Sequence, residues 1–207
     1  MEYKTEIFKN LIPEDSLAVI KALVDQSTSS LSEDEIFHAY HGDYYRVGED
    51  AFNLIVNILP LMPNEVCSSL TLLKHTRPTG PHTDTNISDE DLVSDPKKFA
   101  RTFIIPLETQ ETNTITFNER MPEGTKGNGM FKFISDLPVL NSLSPDLIEE
   151  HFRNMEVDSW VDKLSIETIF PWIAGDILAL DRCRIHTGDN HVGKAEKKGI
   201  IVWTETN

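Results

Sequence analysis

His82 and Asp84 are the residues whose types and spacing point most directly to chemistry. They lie two positions apart in the segment from Gly80 to Asn86. On an extended backbone, side chains two positions apart point to the same side, so the imidazole and the carboxylate are expected to be neighbours. They are two-thirds of the 2-His-1-carboxylate arrangement that holds Fe(II) and leaves coordination positions open. A metal site of this kind needs a second histidine from elsewhere in the chain.

A second histidine, His186, follows a predicted buried strand far along the chain. The strand begins at a Gly-Asp turn and runs through apolar residues to Asp181, and the histidine lies eleven positions after Gly175. A Gly-Asp turn, an apolar strand, an Asp-Arg pair and a histidine, all downstream of a His-x-Asp, resemble the Fe(II)- and 2-oxoglutarate-dependent oxygenases. The resemblance covers about residues 70–203. It implies a double-stranded β-helix of the jelly-roll, cupin-like type.

The resemblance implies a role for each of the three residues. His82, Asp84 and His186 match the iron ligands of that superfamily, in which 2-oxoglutarate and O2 take the open positions on Fe(II). The implied reaction is a dioxygenase reaction that hydroxylates the substrate and releases succinate and CO2. A halogenating branch carries a small residue in place of the carboxylate, so Asp84 favours hydroxylation or a related oxidation.

Lys197 is the expected anchor for the cosubstrate. In the superfamily, a basic residue on the strand after the distal histidine holds the far carboxylate of 2-oxoglutarate, because a carboxylate taken into a narrow cavity without a partner is costly. Strand alternation predicts Lys197 and Gly199 on one face and Lys198 on the other. The similar strand of prolyl-hydroxylase-like members favours Lys197, with Lys198 as the reserve. A lysine acts as a point charge and lacks the bidentate fork of arginine.

Several polar residues near this pattern have open roles. Gly199 stands where many members place a hydroxyl residue, and Thr71 or His75 on the strand before the His-x-Asp segment is expected to supply that hydrogen bond instead. Arg184 and Arg101 are each expected either to reach the cosubstrate or substrate, or to be solvated charges at strand ends.

The other histidines compete poorly for the metal. His191 is the alternative to His186, but Lys197 would then follow only six residues later, too close for a turn and the facing strand. His38, His41 and His151 have no partner at ligand spacing and are expected to lie at the surface.

Helices are predicted before the site and strands around it. Apolar spacing predicts helices over 14–26 and 49–61, and Ser32 with Glu35 resembles a capping box for a short helix between them. After Pro63, segments rich in β-branched residues predict six strands, at 67–75, 100–108, 113–118, 164–170, 175–181 and 197–204.

These elements predict a mainly β protein with flanking helices. The strands form a jelly roll, and the N-terminal helices pack on the outer face of one sheet. We expect one domain over 1–207, with a helical part over 1–63 and an insertion between strands over 121–163. The insertion is either a spacer or a lid that selects the substrate.

Composition narrows the possible partners. The 34 acidic and 19 basic residues give a formal net charge of −15, which disfavours nucleic acid and membrane surfaces. No apolar run approaches the roughly 18 residues that a membrane span needs. The two cysteines, Cys67 and Cys183, do not make a disulfide framework and favour a cytoplasmic protein.

Two alternatives to the oxygenase remain. A cupin-like metal enzyme could share the fold without using 2-oxoglutarate, and a non-catalytic jelly-roll binding module could lack the metal. A buried cation at Lys197 distinguishes them, because only the 2-oxoglutarate interpretation needs it. The expected substrate is a small molecule or a protein side chain, and the sequence does not indicate an oligomeric state.

Overall fold

Strands dominate the protein. The computed structural model describes residues 2–29, 31, 36–39, 42–85, 99–122, 129–153, 160–189 and 196–207. The helices are α1 (Glu14–Ser29), α2 (Glu49–Ile58), α3 (Gly129–Asp136) and α4 (Pro145–His151). The strands are β1 (Glu6–Phe8), β2 (Ile36–Ala39), β3 (Gly42–Arg46), β4 (Glu65–His75), β5 (Phe99–Pro106), β6 (Asn113–Arg120), β7 (Ile166–Pro171), β8 (Ile177–Asp181), β9 (Arg184–Gly188) and β10 (Lys197–Thr206).

The strands form two antiparallel sheets. The large sheet has seven strands in the order β1-β8-β5-β10-β4-β3-β2, and the small sheet has three in the order β7-β6-β9. Apolar side chains from both sheets form a shared core, which contains Leu73, Ile104, Phe170, Trp172, Leu178, Leu180 and Ile201. Two packed antiparallel sheets connected in this way are a jelly roll, and the predicted fold class is confirmed.

Helices α1 and α2 cover the outer face of the large sheet. Ile20 and Val24 of α1 and Ile55 of α2 are buried in one cluster with apolar residues of the sheet. The sheet contributes residues that alternate with those of the shared core, namely Leu70, Leu72, Phe103, Ile105, Ile200 and Val202. Because strand side chains alternate between faces, the large sheet is apolar on both sides and needs this cover.

Helix α1 ends at Ser29, later than the predicted end at 26. The Ser27 hydroxyl donates to the carbonyl of Leu23 at 2.7 Å, and the Thr28 hydroxyl donates to the carbonyl of Val24 at 3.0 Å. The Ser29 hydroxyl donates to the carbonyl of Gln26 at 2.9 Å and so satisfies one of the last four carbonyls of the helix. The Ser/Thr run is therefore compatible with the last turn of the helix, although it was expected to end it.

Helix α2 ends at Ile58, earlier than the predicted end at 61. Leu59 is already extended, with φ −64° and ψ 137°. The residue before a proline is sterically kept out of the helical region, and Pro60 follows directly. The short helix expected to begin at the Ser32–Glu35 capping box is wrong beyond its first turn, because the chain forms strand β2 over Ile36–Ala39. Residues 32–35 themselves lie outside the described part of the chain.

The segment 1–63 also contains three strands that the sequence did not predict. Strand β1 pairs with β8 at one edge of the large sheet, while β2 and β3 form a hairpin that pairs with β4 at the other edge. These strands are short, and β1 has only three residues, which is too few for a period-two pattern to be recognised.

The segment 121–163 lies between β6 and β7, and its described residues pack on the outer face of the small sheet. Phe152 and Trp160 form a cluster with Ile115, Phe117 and Ile185 of that sheet. The described part of the insertion therefore covers the back of the small sheet. Assignment of 1–207 to one domain stays a prediction. Among the described residues, no helix has the length and apolar character that crossing a bilayer requires.

Candidate metal centre

His82 and His186 are joined through their backbones. The amide of each donates to the carbonyl of the other at 2.9 Å, which forms an isolated antiparallel bridge. The amide of Asp84 donates to the carbonyl of Arg182 at 3.0 Å. The His-x-Asp segment therefore lies alongside β9 at the edge of the small sheet, and this pairing brings the three predicted ligands together.

The three side chains converge on one point. One ligand atom from each of His82, Asp84 and His186 lies within 4.8 Å of the others. Nε2 of His186 lies 3.6 Å from Oδ2 of Asp84, and the two imidazole rings are 4.2 Å apart between centroids. This spacing suits a divalent cation bound between them.

Backbone carbonyls orient both imidazoles. Nδ1 of His82 donates to the carbonyl of Gly80 at 2.8 Å, and Nδ1 of His186 donates to the carbonyl of Arg184 at 3.1 Å. A carbonyl accepts only, so each Nδ1 carries the proton and each Nε2 carries a lone pair. This is the tautomer that a metal-binding histidine needs.

Asp84 has the properties of a third ligand. Its Oδ2 is buried and has no hydrogen-bond partner among the described residues. Burial by itself raises the pKa of this carboxyl, but His186 and His82, in their protonated forms, outweigh burial and hold the pKa below its usual range. A buried carboxylate with an unsatisfied oxygen facing two imidazoles fits a 2-His-1-carboxylate cation site.

Lys197 points into the space between the sheets. Its ammonium donates to the carbonyl of Asn113 at 2.9 Å and to the hydroxyl of Thr114 at 3.5 Å. It also lies 4.1 Å from the centre of the Trp172 ring. Burial lowers the pKa of Lys197 to about 7, and the nearby carboxylate of Asp189 opposes this effect. A desolvated ammonium with few anionic neighbours is suited to receive an anion.

Lys198 points the opposite way, as strand alternation predicts. Its ammonium donates to the carboxylate of Asp25 on α1 at 2.8 Å, on the outer face of the large sheet. Lys198 therefore cannot reach the interior that Lys197 occupies.

The ammonium of Lys197 lies beside Gly188, one strand repeat from His186. A methyl group placed on Gly188 would lie 3.7 Å from its ammonium nitrogen. Gly188 and His186 are two residues apart on β9 and share a face, so they are separated by about 7 Å. A five-carbon dicarboxylate spans this interval.

His75 and Tyr44 line the same region. His75 lies opposite Lys197 in the β4–β10 register, and its Nε2 is 3.1 Å from the Tyr44 hydroxyl. Burial raises the pKa of Tyr44 well above its usual range, and the charge of Asp84 raises it further. Thr71 lies opposite Ile201, further along the strand. Tyr44 was missed because β3 was not predicted.

Trp172 explains why position 199 is glycine. A Cβ on Gly199 would lie 2.7 Å from Cη2 of Trp172 and 3.0 Å from the carbonyl of Ile105. The indole therefore fills the space that a hydroxyl side chain would need, while its Nε1 donates to the Thr114 hydroxyl at 2.9 Å.

Arg101 is a buried structural residue, and neither role expected for it is observed. Its guanidinium donates to both oxygens of Glu65 and to the carbonyl of Pro60 at 2.8 Å. Only 1% of the side chain is exposed, so it is not a solvated charge. These hydrogen bonds direct it away from the metal ligands and toward Glu65, the first residue of β4.

Arg184 is also buried, which corrects the expectation of a solvated charge. Its guanidinium donates to the carbonyls of Phe117 and Asn118 at 3.2 and 3.1 Å and to Glu2 at 3.1 Å. Its Nε lies 3.4 Å from the carboxylate of Glu167. Arg184 therefore links β9 to β6 and to the N-terminal segment.

Histidines outside the metal centre divide into two groups. His38 is exposed and pairs with Asp43 at 2.7 Å, as expected for a surface residue. The surface prediction for His151 is wrong, because α4 packs against the small sheet and buries this side chain, with its Nδ1 3.8 Å from Asp189. His41 and His191 lie outside the described residues.

Comparisons with known proteins agree with the architecture. No family model matches the sequence, and no curated protein matches it. The structure resembles the non-heme alpha ketoglutarate dependent carbocyclase SnoK from nogalamycin biosynthesis, with a TM-score of 0.60 and 14% identity over 99% of this chain and 81% of the other. It also resembles a Pseudomonas putida prolyl-4-hydroxylase, with a TM-score of 0.55 and 9% identity over 98% of this chain and 92% of the other.

A third neighbour is the epimerase SnoN from the same biosynthesis. It has a TM-score of 0.58 and 11% identity over 97% of this chain and 76% of the other. At such identities the likeness concerns the fold. The chain has the double-stranded β-helix fold of the 2-oxoglutarate- and Fe(II)-dependent oxygenase superfamily.

Proposed function

We propose that this protein is an Fe(II)- and 2-oxoglutarate-dependent dioxygenase. The observation that carries the proposal is the placement of Lys197, a buried ammonium beside Gly188, which is one strand repeat from His186 on β9. A cupin-like enzyme that uses a metal alone has no need of a buried cation at that distance, and neither has a binding module without metal. Binding of 2-oxoglutarate explains why the three candidate metal ligands and a buried lysine occur in one site.

Each residue has a defined task in this proposal. His82, Asp84 and His186 hold Fe(II) on one face, and when bound the metal supplies the activation of O2. Lys197 neutralises the distal carboxylate of 2-oxoglutarate. Trp172 excludes water beside that ion pair, which strengthens the attraction.

The substrate is proposed only as a class. The net charge of −15 disfavours nucleic acid, which leaves a small molecule or a protein side chain. The structural neighbours include an epimerase and a carbocyclase as well as prolyl hydroxylases. We therefore propose oxidation at a substrate C–H bond with release of succinate and CO2, with hydroxylation as the first outcome to test.

Anaerobic titration tests the proposal directly. Fe(II)-loaded protein that receives 2-oxoglutarate is expected to develop the visible charge-transfer band of the chelate, and to form succinate after O2 is admitted. His82→Ala is expected to lose iron, whereas His38→Ala, which alters an exposed histidine paired with Asp43, is expected to retain it. Iron binding without a band or succinate would favour the cupin-like alternative. Full iron occupancy in His82→Ala would refute the ligand set.

A further inference from the structure

Asp189 is a buried carboxylate that the proposed reaction leaves without a task. It follows β9, and only 3% of the residue is exposed. One oxygen accepts the hydroxyl of Thr112 at 2.5 Å, and the other accepts the side-chain amide of Asn113 at 2.6 Å. These two hydrogen bonds fix the orientation of the buried carboxylate.

The carbonyl of Asn113 connects Asp189 to Lys197. It accepts the Lys197 ammonium at 2.9 Å and the backbone amide of Asp189 at 3.1 Å. Asp189 thus holds Asn113 at both its side chain and its main chain, and Asn113 in turn holds the ammonium. A displacement of Asp189 would move the acceptor that orients Lys197.

The charges around Lys197 make Asp189 its electrostatic partner. His75 lies across the strand pair and Tyr44 contacts His75, but neither is an anion under ordinary conditions. Among the described residues, Asp189 is the carboxylate whose charge favours the protonated lysine against burial. The attraction acts in a water-poor interior, where it is weakly screened.

We propose that Asp189 is a positioning residue that keeps Lys197 charged and aimed for the distal carboxylate of the cosubstrate. The inference rests on the proposed function for its purpose, since it assigns a role in 2-oxoglutarate binding. The Asp189–Asn113–Lys197 contact itself is a property of the metal-free protein and can be tested there.

The insertion reaches this network through His151. Nδ1 of His151, on α4, lies 3.8 Å from the carboxylate of Asp189 and has no hydrogen-bond partner among the described residues. Helix α4 of the insertion therefore contacts Asp189, close to the proposed binding site of the distal carboxylate of 2-oxoglutarate. Changes in α4 are expected to act on 2-oxoglutarate affinity through Asp189.

The first test measures Lys197 in the metal-free, full-length protein. NMR of lysine side chains labelled with 13C and 15N follows its protonation, with Lys197→Met to assign the signal. Asp189→Asn is expected to lower the pKa of Lys197 from about 7 to about 6. Asp176→Asn is the matched control, because Asp176 is also 3% exposed but accepts a backbone amide from Asn10. It is expected to leave the pKa of Lys197 unchanged.

The second test measures 2-oxoglutarate binding to Mn(II)-loaded protein by calorimetry. At pH 7.5, Asp189→Asn is expected to weaken binding about tenfold, and the difference is expected to shrink below pH 6, where both proteins carry a charged lysine. With Fe(II), kcat at saturating 2-oxoglutarate is expected to stay within about twofold while KM rises. Thr112→Val, which removes one hydrogen bond to Asp189, is expected to shift the affinity and the pKa of Lys197 in the same direction by less.

The outcomes separate this inference from the proposed function. An Asp189→Asn protein with an unchanged pKa of Lys197 and unchanged affinity would overturn the inference. If Asp189→Asn does not fold, Thr112→Val takes its place. A Thr112→Val protein in which the pKa of Lys197 and the affinity for 2-oxoglutarate are both unchanged would then overturn the inference. Wild-type protein that binds no 2-oxoglutarate refutes the proposed function, even when the NMR titration still shows the electrostatic link.

Discussion

The ammonium of Lys197 lies 4.1 Å from the centre of the Trp172 ring. The same ring occupies the place of a side chain at Gly199, two residues further along β10. One indole therefore contacts the cation and closes the space next to it. The cation receives some stabilisation from the ring face, but it remains in an interior that favours its neutral form.

Lys197→Met is expected to stabilise the metal-free protein and to weaken cosubstrate binding strongly. At pH 7 the free energy of unfolding should rise by about 1–3 kcal/mol, because a buried ammonium is replaced by an apolar chain of similar size. Affinity for 2-oxoglutarate should fall by roughly a hundredfold or more, because the distal carboxylate loses its cation. Urea unfolding and calorimetry on Mn(II)-loaded protein measure the two effects.

Lys198→Met is the matched control for that change. Lys198 is the next residue on the same strand and pairs with Asp25 at the surface. The variant should bind 2-oxoglutarate like the wild type. If Lys198→Met weakened binding and Lys197→Met did not, the anchor would be assigned to the wrong face of β10.

The pH dependence of cosubstrate affinity should follow Lys197. Its pKa in the folded, cosubstrate-free protein is about 7, and binding requires the charged form. The Kd for 2-oxoglutarate should therefore be constant below pH 7 and rise about tenfold per pH unit above it. Calorimetry between pH 6 and pH 9 on Mn(II)-loaded protein measures this slope, and a Kd that stays flat across the range would contradict the prediction.

Stability should show the opposite dependence on pH. The pKa of Lys197 is 10.5 in the unfolded chain and about 7 in the folded protein, so the unfolded state binds more protons between those values. The folded wild type should therefore gain stability as pH rises through this interval. The stability advantage of Lys197→Met should be greatest below pH 7 and should shrink toward pH 10.

Gly199→Ser should destabilise the protein, although the serine would restore the hydroxyl that many members of the superfamily carry at this position. The new Cβ would meet the Trp172 ring at 2.7 Å, and overpacking of this kind costs about 1–3 kcal/mol. Trp172→Phe should reduce that cost, because a smaller ring leaves room for the hydroxymethyl group. A double-mutant cycle from urea unfolding measures the coupling. Additive effects of the two changes would show that the ring is not the obstacle.

Arg101→Met should cost stability while leaving the site intact. The change leaves Glu65 buried without its cation, which costs about 3–5 kcal/mol. Glu65→Gln in the same chain should recover part of this loss, because the amide keeps hydrogen bonds and carries no charge. Arg153→Met, which breaks an exposed pair with Glu149, should change stability by less than about 1 kcal/mol.

Iron and 2-oxoglutarate binding test the structural assignment of Arg101. Folded Arg101→Met protein should bind both like the wild type. A loss of 2-oxoglutarate affinity without a loss of folded protein would instead give Arg101 a role in the site.

The candidate ligands could be predicted because their residue types and short spacings are visible in the sequence. His82 and Asp84 are two positions apart, and alternation along the predicted strand 197–204 selects the face of Lys197. His186 was identified by the resemblance from its position after the predicted strand 175–181, although it lies on a separate strand, β9, that was not predicted. A short pattern with a fixed period can be recognised in a single sequence. The jelly roll followed from the same strand pattern, and the structure confirms it.

The supporting residues could not be predicted because they depend on packing between distant segments. Tyr44 lies on a hairpin that is recognisable only beside β4, and His151 is buried by the docking of α4. Arg101 is buried in an ion pair because Glu65, on another strand of the same sheet, lies within hydrogen-bond distance of it. A charged residue in a strand looks the same in sequence whether solvent or a carboxylate faces it.

The backbone bridge between His82 and His186 has a consequence for how the protein folds. It joins two segments that are separated by half of the chain. The three ligands therefore come together only after the two sheets of the jelly roll have formed. Contacts of such high sequence separation form late and slow the folding of β proteins. Metal capture should therefore be a concluding step of folding, and a chain interrupted in synthesis before β9 should emerge without iron affinity.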